Sequence, residues 1–415
     1  MTEVVIVDGV RSPIGKFGGA LSSVRPDDLL GDVYKSLIER TGIDPSELTE
    51  VFAGCGNQGG EDNRDVARMA ILLSGMPHEV PGVTVNRNCS SALEAVNLAA
   101  KTIVAGEGGL AIGSGVESMS RAPFAMMKPE RVPTTSAPKM WDTTVGWRFN
   151  NPRMDELYPI VSLGEGAEIM AEEMQITREE QDALALESHS RAIAAINDGR
   201  FADEIVPITV PRRRGDPVIV DTDEHPRYAK SNGSYELATS LDDLGKLRPA
   251  FKKDGTVTAG NSSGINDGAA ALLLASREKA EALGLKPMLR WIGSASAGTD
   301  PSHFAYGPIP ATQKLLDRFA LGIDDMGLIE LNEAFASQVI GCERQLGIDH
   351  AKTNVNGGAI ALGHPTGCSG SRILVTLMHE MKRRAPDLPR PFYGLATLCV
   401  GVGMGSATLV EWVGD

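Results

Sequence analysis

An approximate internal duplication constrains this chain more than any other feature. A helix, the pair Ile43-Asp44 and a strand at Glu50 to Ala53 are echoed at Ile323-Asp324 and Leu328 to Asn332, which predicts two similar halves. In the first half, a strand at Val83 to Val85, a helix from Ser90 and a strand at Leu110 to Ile112 follow in order. The second half answers with NVNGGAIALGHPTGCSG, a helix over Ser369 to Lys382 and a strand over Tyr393 to Cys399. Strands alternating with helices predict an α/β fold whose sheets are mainly parallel and covered by helices. At 415 residues the chain exceeds what one ordinary core supports, and two or three domains are expected.

Between the halves, residues 120–265 change character. Prolines stand at 123, 129, 133, 138, 152 and 159, and the polar run PRRRGDPVIVDTDEHPRYAKSNGSYE follows. This reads as an inserted loop domain, of the kind that often forms a lid or binding region. It contains one well-marked helix: Thr177 and Glu180 form a Thr-x-x-Glu capping box, and the helix ends near Asp198-Gly199. For residues 225–240, disorder is the competing reading.

The net charge of −14 and the 42% hydrophobic, 23% charged composition describe a well-packed soluble protein and argue against nucleic-acid or anionic-membrane partners. A local basic stretch (Arg212, Arg213, Arg214, Arg227, Lys230, Lys246, Arg248, Lys252 and Lys253) reads either as a solvated loop or as a phosphate-binding patch. The N-terminus starts as a strand with no signal-peptide pattern, and no apolar run reaches membrane-spanning length. Five cysteines, odd in number and without CxxC or Cys/His clusters, indicate neither a disulfide framework nor a metal site, and fit a reducing cytoplasm.

Three side chains stand out. Ala92, Ala95, Val96, Ala99, Ala100 and Ile103 recur at helical spacing and Gly106 ends the run, which makes Cys89 a cap-position thiol. Unpaired N–H groups and the positive end of the dipole favour a thiolate there. His364 is set among glycines that let backbone approach a ligand closely. Cys399 lies where a strand turns through Gly401, Gly403 and Gly405, a run that weakens a strand unless close approach requires it. Cys55, Cys342 and Cys368 read as packing residues.

The chain resembles the thiolase family over essentially its whole length. The resemblance is carried by NRNCSSALEA around Cys89, GSGVESMSRAP (113–123), TVTAGNSSGINDGAAA (256–271), ELNEAFASQ (330–338), NVNGGAIALGHPTGCSG (354–370) and LCVGVGMG (398–405). It implies two similar βαβαβαββ halves in a five-layered α-β-α-β-α arrangement with an inserted loop domain. The boundaries would be 1–119 with 266–280 for the N-terminal half, 120–265 for a loop domain serving CoA binding and oligomer contacts, and 281–415 for the C-terminal half. It also implies an acyltransferase of the kind found in fatty acid metabolism and β-oxidation. Such an enzyme cleaves a 3-ketoacyl-CoA to acetyl-CoA and a shortened acyl-CoA, or runs the reverse Claisen condensation. Coenzyme A is then a substrate with no permanently bound cofactor, and the assembly is a homotetramer in preference to a dimer.

Carried onto this sequence, the resemblance makes Cys89 the acyl-forming nucleophile, His364 its activator and Cys399 the acid/base at the acetyl-CoA α-carbon. Asn332 holds a water in one oxyanion hole with His364, and the backbone N–H groups of Cys89 and Gly401 form the other. For CoA it implies Ser263 at the pantetheine arm, Arg227 near the adenine, and Phe251, Ala259, Ala334 and Phe335 along the channel. The chemistry needs such a set: expelling an enolate requires preorganised donors at oxygen and a proton at carbon, and a thioester intermediate splits the reaction in two.

Two departures concern the acyl pocket. Ser162 and Leu163 stand where many relatives carry histidine and methionine, and Phe304 to Pro308 replace an MGxGP run. The stretches GCGNQGGEDNRDVARMAILLSG and WDTTVGWRFNNP resemble the branch that cleaves 3-oxoadipyl-CoA. A distal carboxylate wants a cation, for which Arg148 and Arg153 are candidates against a plain surface role. Two rival readings are a decarboxylating condensing enzyme of related fold, which has no need of a second cysteine, and a non-catalytic acyl-CoA-binding module, which has no need of all four side chains.

Overall fold

The structure, a computed structural model, describes residues 2–129, 137–212 and 214–414. Pro133 and Arg213 lie outside them. Nine strands form the backbone of the molecule: β1 (Val4–Arg11), β2 (Glu50–Gly54), β3 (Gly82–Val85), β4 (Leu110–Ser118), β5 (Asn266–Ser276), β6 (Leu289–Gly298), β7 (Met326–Leu331), β8 (Tyr393–Val400) and β9 (Met404–Trp412). Their helices are α1 (Pro26–Thr41), α2 (Val66–Leu73), α3 (Ser91–Ala105), α4 (Leu163–Glu173), α5 (Arg178–Asn197), α6 (Pro308–Phe319), α7 (Ala336–Leu346) and α8 (Ser369–Arg384).

The strands run in the order β7-β8-β9-β6-β1-β5-β4-β2-β3, with the two-residue strand Gly15–Lys16 beside Asn266 and Asp267. The order is a duplication. Starting from the centre, β1-β5-β4-β2 in one direction is matched by β6-β9-β8-β7 in the other. The halves meet through a short antiparallel pairing of Val4 to Ile6 with Leu289 to Trp291.

Alternation along each strand separates the cores. In β1, Val5 and Val7 face an outer core that also contains Leu29, Leu30 and Val33 of α1 and Ala70 and Ile71 of α2. Val4 and Ile6 face a middle core with Leu93, Val96 and Ile103 of α3 and Ile373, Leu377 and Met381 of α8. A third core lies beyond β7 to β9, under Leu315 of α6 and Val339 of α7. Helices, sheet, helices, sheet, helices make five layers, and a strand buried on both faces explains its nearly continuous apolar sequence.

The sheets are mixed, which corrects the expectation of mainly parallel pairing. The β2–β3, β2–β4 and β7–β8 pairs are parallel, whereas β1–β5, β5–β4, β6–β9, β8–β9 and β1–β6 are antiparallel. The reason is connection length. A tight turn joins β8 to β9, so the chain must reverse there. Val402 (φ 71°) and Gly403 (φ 72°) adopt the left-handed conformation that such a turn needs. At Gly405 any side chain would overlap the backbone of Gly307, so that glycine permits close packing of β9 against the start of α6.

The segment 120–265, in its described residues, adds helices and short hairpins to this sandwich. Besides α5, whose Thr177–Glu180 capping box is present as expected, it contains α4, which the sequence reading missed. Its signal was available: Ser162 and Glu165 form the same reciprocal box. Residues 228–231 and 234–237 form an ordered antiparallel hairpin, which replaces the disorder considered for that stretch. Among the described residues, no helix is long and apolar enough to cross a membrane.

Candidate active site

A cavity of about 420 Å³ opens beside the start of α3. Cys89, Asn88, Glu117, Thr366, Gly401 and Phe304 are among the residues that line it. Cys89 is not the helix cap. Ser90 is the N-cap of α3, and Cys89 precedes it, in a turn where Asn88 has a φ of 47°. The side chain of Asn88 donates to the carbonyl of Gly401 (3.2 Å), tying this turn to the one beyond Cys399. Cys89, His364, Cys399 and Asn332 are all buried, at 6%, 6%, 1% and 1% exposure.

Burial reverses the electrostatic expectation at Cys89. The backbone N–H groups of Gly401 and of Cys89 itself donate toward the sulfur and favour its anion, yet desolvation is the larger effect and raises the pKa above the usual thiol value. At Cys399 burial also dominates, and the nearby Cys89 sulfur adds to it, holding that pKa well above the usual value. Both thiols are protonated at rest. Ionising Cys89 therefore requires a base, which helix position alone does not replace.

His364 is built to be that base. Its pKa is driven down to about 3, first by burial and then by the positive charge of Arg372, so the ring is neutral. Its backbone N–H donates to the side chain of Asn266 (3.0 Å), while Gly363, with a φ of 104°, lets the loop pass against that same asparagine. The Ser369 hydroxyl lies 2.6 Å from His364 Nδ1 and donates its own proton to the carbonyl of Pro365 (2.9 Å). A hydroxyl has one proton to give, so Ser369 must accept from Nδ1–H. That leaves Nε2 with the free lone pair, buried and without a partner among the described residues. Ser369 escaped the sequence reading, although a hydroxyl one turn after GHP on a helix start was visible.

Asn332 follows β7, and its N–H bonds the carbonyl of Thr397 on β8 (3.0 Å), two residues before Cys399. Both polar atoms of its side chain are buried without a partner among the described residues, a costly arrangement unless a ligand or water satisfies them. Glu117, on β4, ties the walls together. Its carboxylate accepts from Gly56 N (2.8 Å), Asn57 N (3.1 Å), Thr366 Oγ1 (3.0 Å) and Gly367 N (2.8 Å).

The residues expected to contact CoA form a separate connected group. Ser263 N bonds Ala334 O (3.0 Å), Arg227 approaches Ala259 O (3.4 Å), and Phe251 meets Phe335 edge-on at 6.0 Å. None of the six lines the cavity; Phe304 connects the two regions, packing 6.2 Å from Phe335. Ser162, Leu163 and Phe304, the positions of departure, all line the cavity. Of the basic stretch, Lys246 pairs with Asp243 and Lys252 with Glu172. Cys342 and Cys368, each pushed up to about 12 by burial, are inert at neutral pH, and Cys55 is buried beside Glu117.

Residues 4–278 match the model of the thiolase N-terminal domain and residues 285–412 that of the thiolase C-terminal domain. The chain is 51% identical over 414 residues to a beta-ketoadipyl-CoA thiolase of Pseudomonas aeruginosa, covering 99% of each chain. It is 47% identical over 416 residues to a 3-oxoadipyl-CoA/3-oxo-5,6-dehydrosuberyl-CoA thiolase of Escherichia coli, covering all of both. Among solved structures, the acetyl-CoA acetyltransferase of Bacillus anthracis superposes with a TM-score of 0.89 at 41% identity, over 100% of this chain and 99% of that one.

Proposed function

The chain belongs to the thiolase family and is an acyltransferase acting on a 3-ketoacyl-CoA, and from that premise we propose that its substrate is 3-oxoadipyl-CoA, cleaved by CoA to acetyl-CoA and succinyl-CoA. The similarity to two thiolases named for that substrate supports this choice. The polar wall of the cavity supports it as well: Asn57, Asn86, Asn88, Thr143 and Thr144 all face the space.

In this mechanism His364 Nε2 takes the proton of Cys89, and the sulfur attacks the C3 carbonyl. The backbone N–H groups of Cys89 and Gly401, which donate toward the resting sulfur, receive the oxyanion. Breaking the C2–C3 bond expels the acetyl-CoA enolate. Its oxygen is held by His364 and a water on Asn332, and its carbon takes a proton from Cys399. Incoming CoA gives its thiol proton to the Cys399 thiolate and attacks the succinyl thioester, and Cys89, expelled as a thiolate, takes back its proton from His364, completing a ping-pong cycle. The observation that carries this reading is the locked tautomer of His364, a neutral buried imidazole whose lone pair has no partner among the described residues. Ser263, Arg227, Phe251, Ala259, Ala334 and Phe335 hold CoA in the same proposal.

The division into 1–119 with 266–280, 120–265 and 281–415 belongs to this reading, as does a cytoplasmic location, which suits five free cysteines. A homotetramer built through the loop domain would cover Phe124, Met126 and Met140, which stand exposed on two paired short strands. Thiolysis of 3-oxoadipyl-CoA, acetoacetyl-CoA and 3-ketodecanoyl-CoA tests the substrate, and the first is expected to give the highest kcat/KM. Cys89→Ala is expected to form no acyl-enzyme, and a labelled acyl adduct on that variant would refute its role.

A further inference from the structure

Among the described residues that line the cavity, Arg148 is the only cation and Glu117 the only anion. Glu117 does not neutralise Arg148, because four donors already occupy its carboxylate. The one hydrogen bond of the Arg148 guanidinium among the described residues is a long one, 3.4 Å from Nη1 to the carbonyl of Thr143. A guanidinium has five N–H donors in a rigid fork, so most of its capacity is unspent. Arg148 is half-buried and shares the cavity with Leu163, Val161 and Phe304. A half-buried guanidinium with free donors gains from an anion that pairs with it.

The backbone leading into Arg148 is held at two points. Thr143 is buried, donates to Pro123 O (2.5 Å) and accepts from Asn57 Nδ2 (3.0 Å). Trp147 donates its indole N–H to Val161 O (3.0 Å). The backbone leading into the cation is therefore ordered in advance, which removes that part of the cost of binding. Arg153 differs: it is exposed, lies on the short helix Pro152–Leu157, and does not line the cavity.

We infer that Arg148 is the specificity-determining residue of this enzyme, binding the terminal carboxylate of a dicarboxylic acyl chain while its C3 carbonyl lies at Cys89. The inference rests on the substrate reading given above and names the group that enforces it. A planar guanidinium accommodates a carboxylate through two parallel hydrogen bonds, which a lysine does not reproduce. The same group disfavours uncharged chains, since an apolar terminus would desolvate the cation without pairing it. Discrimination thus arises from both attraction and exclusion.

The test compares kcat/KM for 3-oxoadipyl-CoA with that for 3-oxohexanoyl-CoA, its uncharged counterpart, in wild type, Arg148→Gln, Arg148→Lys and the control Arg153→Gln. Wild type is expected to prefer the carboxylated substrate. Arg148→Gln should lower that preference by about 10- to 100-fold, the worth of one charge-assisted pair. Arg148→Lys should recover part of it, and Arg153→Gln should leave it unchanged. A second readout is acylation of Cys89 by succinyl-CoA against butyryl-CoA, which should show the same loss.

If wild type has no preference, the substrate reading fails and the inference fails with it. If wild type prefers 3-oxoadipyl-CoA and Arg148→Gln keeps that ratio, the inference alone is overturned. An equal loss on both substrates would mean that Arg148 serves CoA or the fold, and would also overturn it.

Discussion

Glu117, on a strand of the first half, accepts a hydrogen bond from the backbone N–H of Gly367 in the loop that carries His364, at 2.8 Å. A second bond, from Thr366, reaches the same oxygen at 3.0 Å. Through this one carboxylate, the Gly56-Asn57 turn of the first half and the His364 loop of the second are held against each other. Burial raises its pKa while the donors lower it, so its neighbours exist to support the charge.

Replacing Glu117 by alanine should therefore cost about 3–5 kcal/mol, because it strands several buried donors at once. Glu117→Gln keeps the shape but offers one acceptor oxygen where two were used, and should fall between the two. Equilibrium denaturant unfolding measures both. A loss below about 1 kcal/mol in the alanine variant would show that the two loops do not depend on this bond.

Ser369→Ala should lower kcat roughly 10- to 100-fold with KM little changed, since the hydroxyl acts only by fixing the His364 tautomer and ring orientation. Ser369→Thr, which retains the hydroxyl, should restore much of the rate. Steady-state thiolysis with both variants decides; an unchanged kcat in the alanine variant would mean that the ring is held by packing alone.

Acid should destabilise the protein through its buried histidines. His189 and His364 are each lowered from 6.5 to about 3, first by burial. As pH falls below 6.5 the unfolded chain takes up protons that the folded one refuses, so stability present above that pH is lost progressively toward pH 3. The slope approaches about 1.4 kcal/mol per pH unit for each histidine. His189 lies outside the catalytic set, and His189→Asn should flatten the fall in unfolding free energy between pH 6.5 and 5 by up to that amount. A slope identical to wild type would place the acid sensitivity elsewhere.

Local order was legible where neighbours in sequence decide it. The helix after Cys89 ends at Gly106 because a left-handed residue closes it, and α5 begins where its capping box says it should. The parallel-sheet expectation failed because β5 and β9 read in sequence like any buried strand, and their direction depends on where the chain returns from. The helix-start argument at Cys89 likewise gave the wrong sign for its acidity: the local N–H groups act as expected, but the desolvation that outweighs them comes from the whole cavity.

By itself the sequence determined the duplicated α/β plan, and it proposed an inserted loop segment and a short list of side chains for thioester chemistry, since periodicity, caps and reactive residue types are all local properties. Only the tertiary structure decided that Asn88 reaches Gly401, that Ser369 fixes the His364 proton, and that Arg148 rather than Arg153 stands at the cavity. Burial and hydrogen-bond partnership belong to the assembled space. Asn88 and Gly401 stand 313 positions apart, so no short window along the chain contains both, whereas Ser369 follows His364 by five positions and it is their burial that distant residues supply.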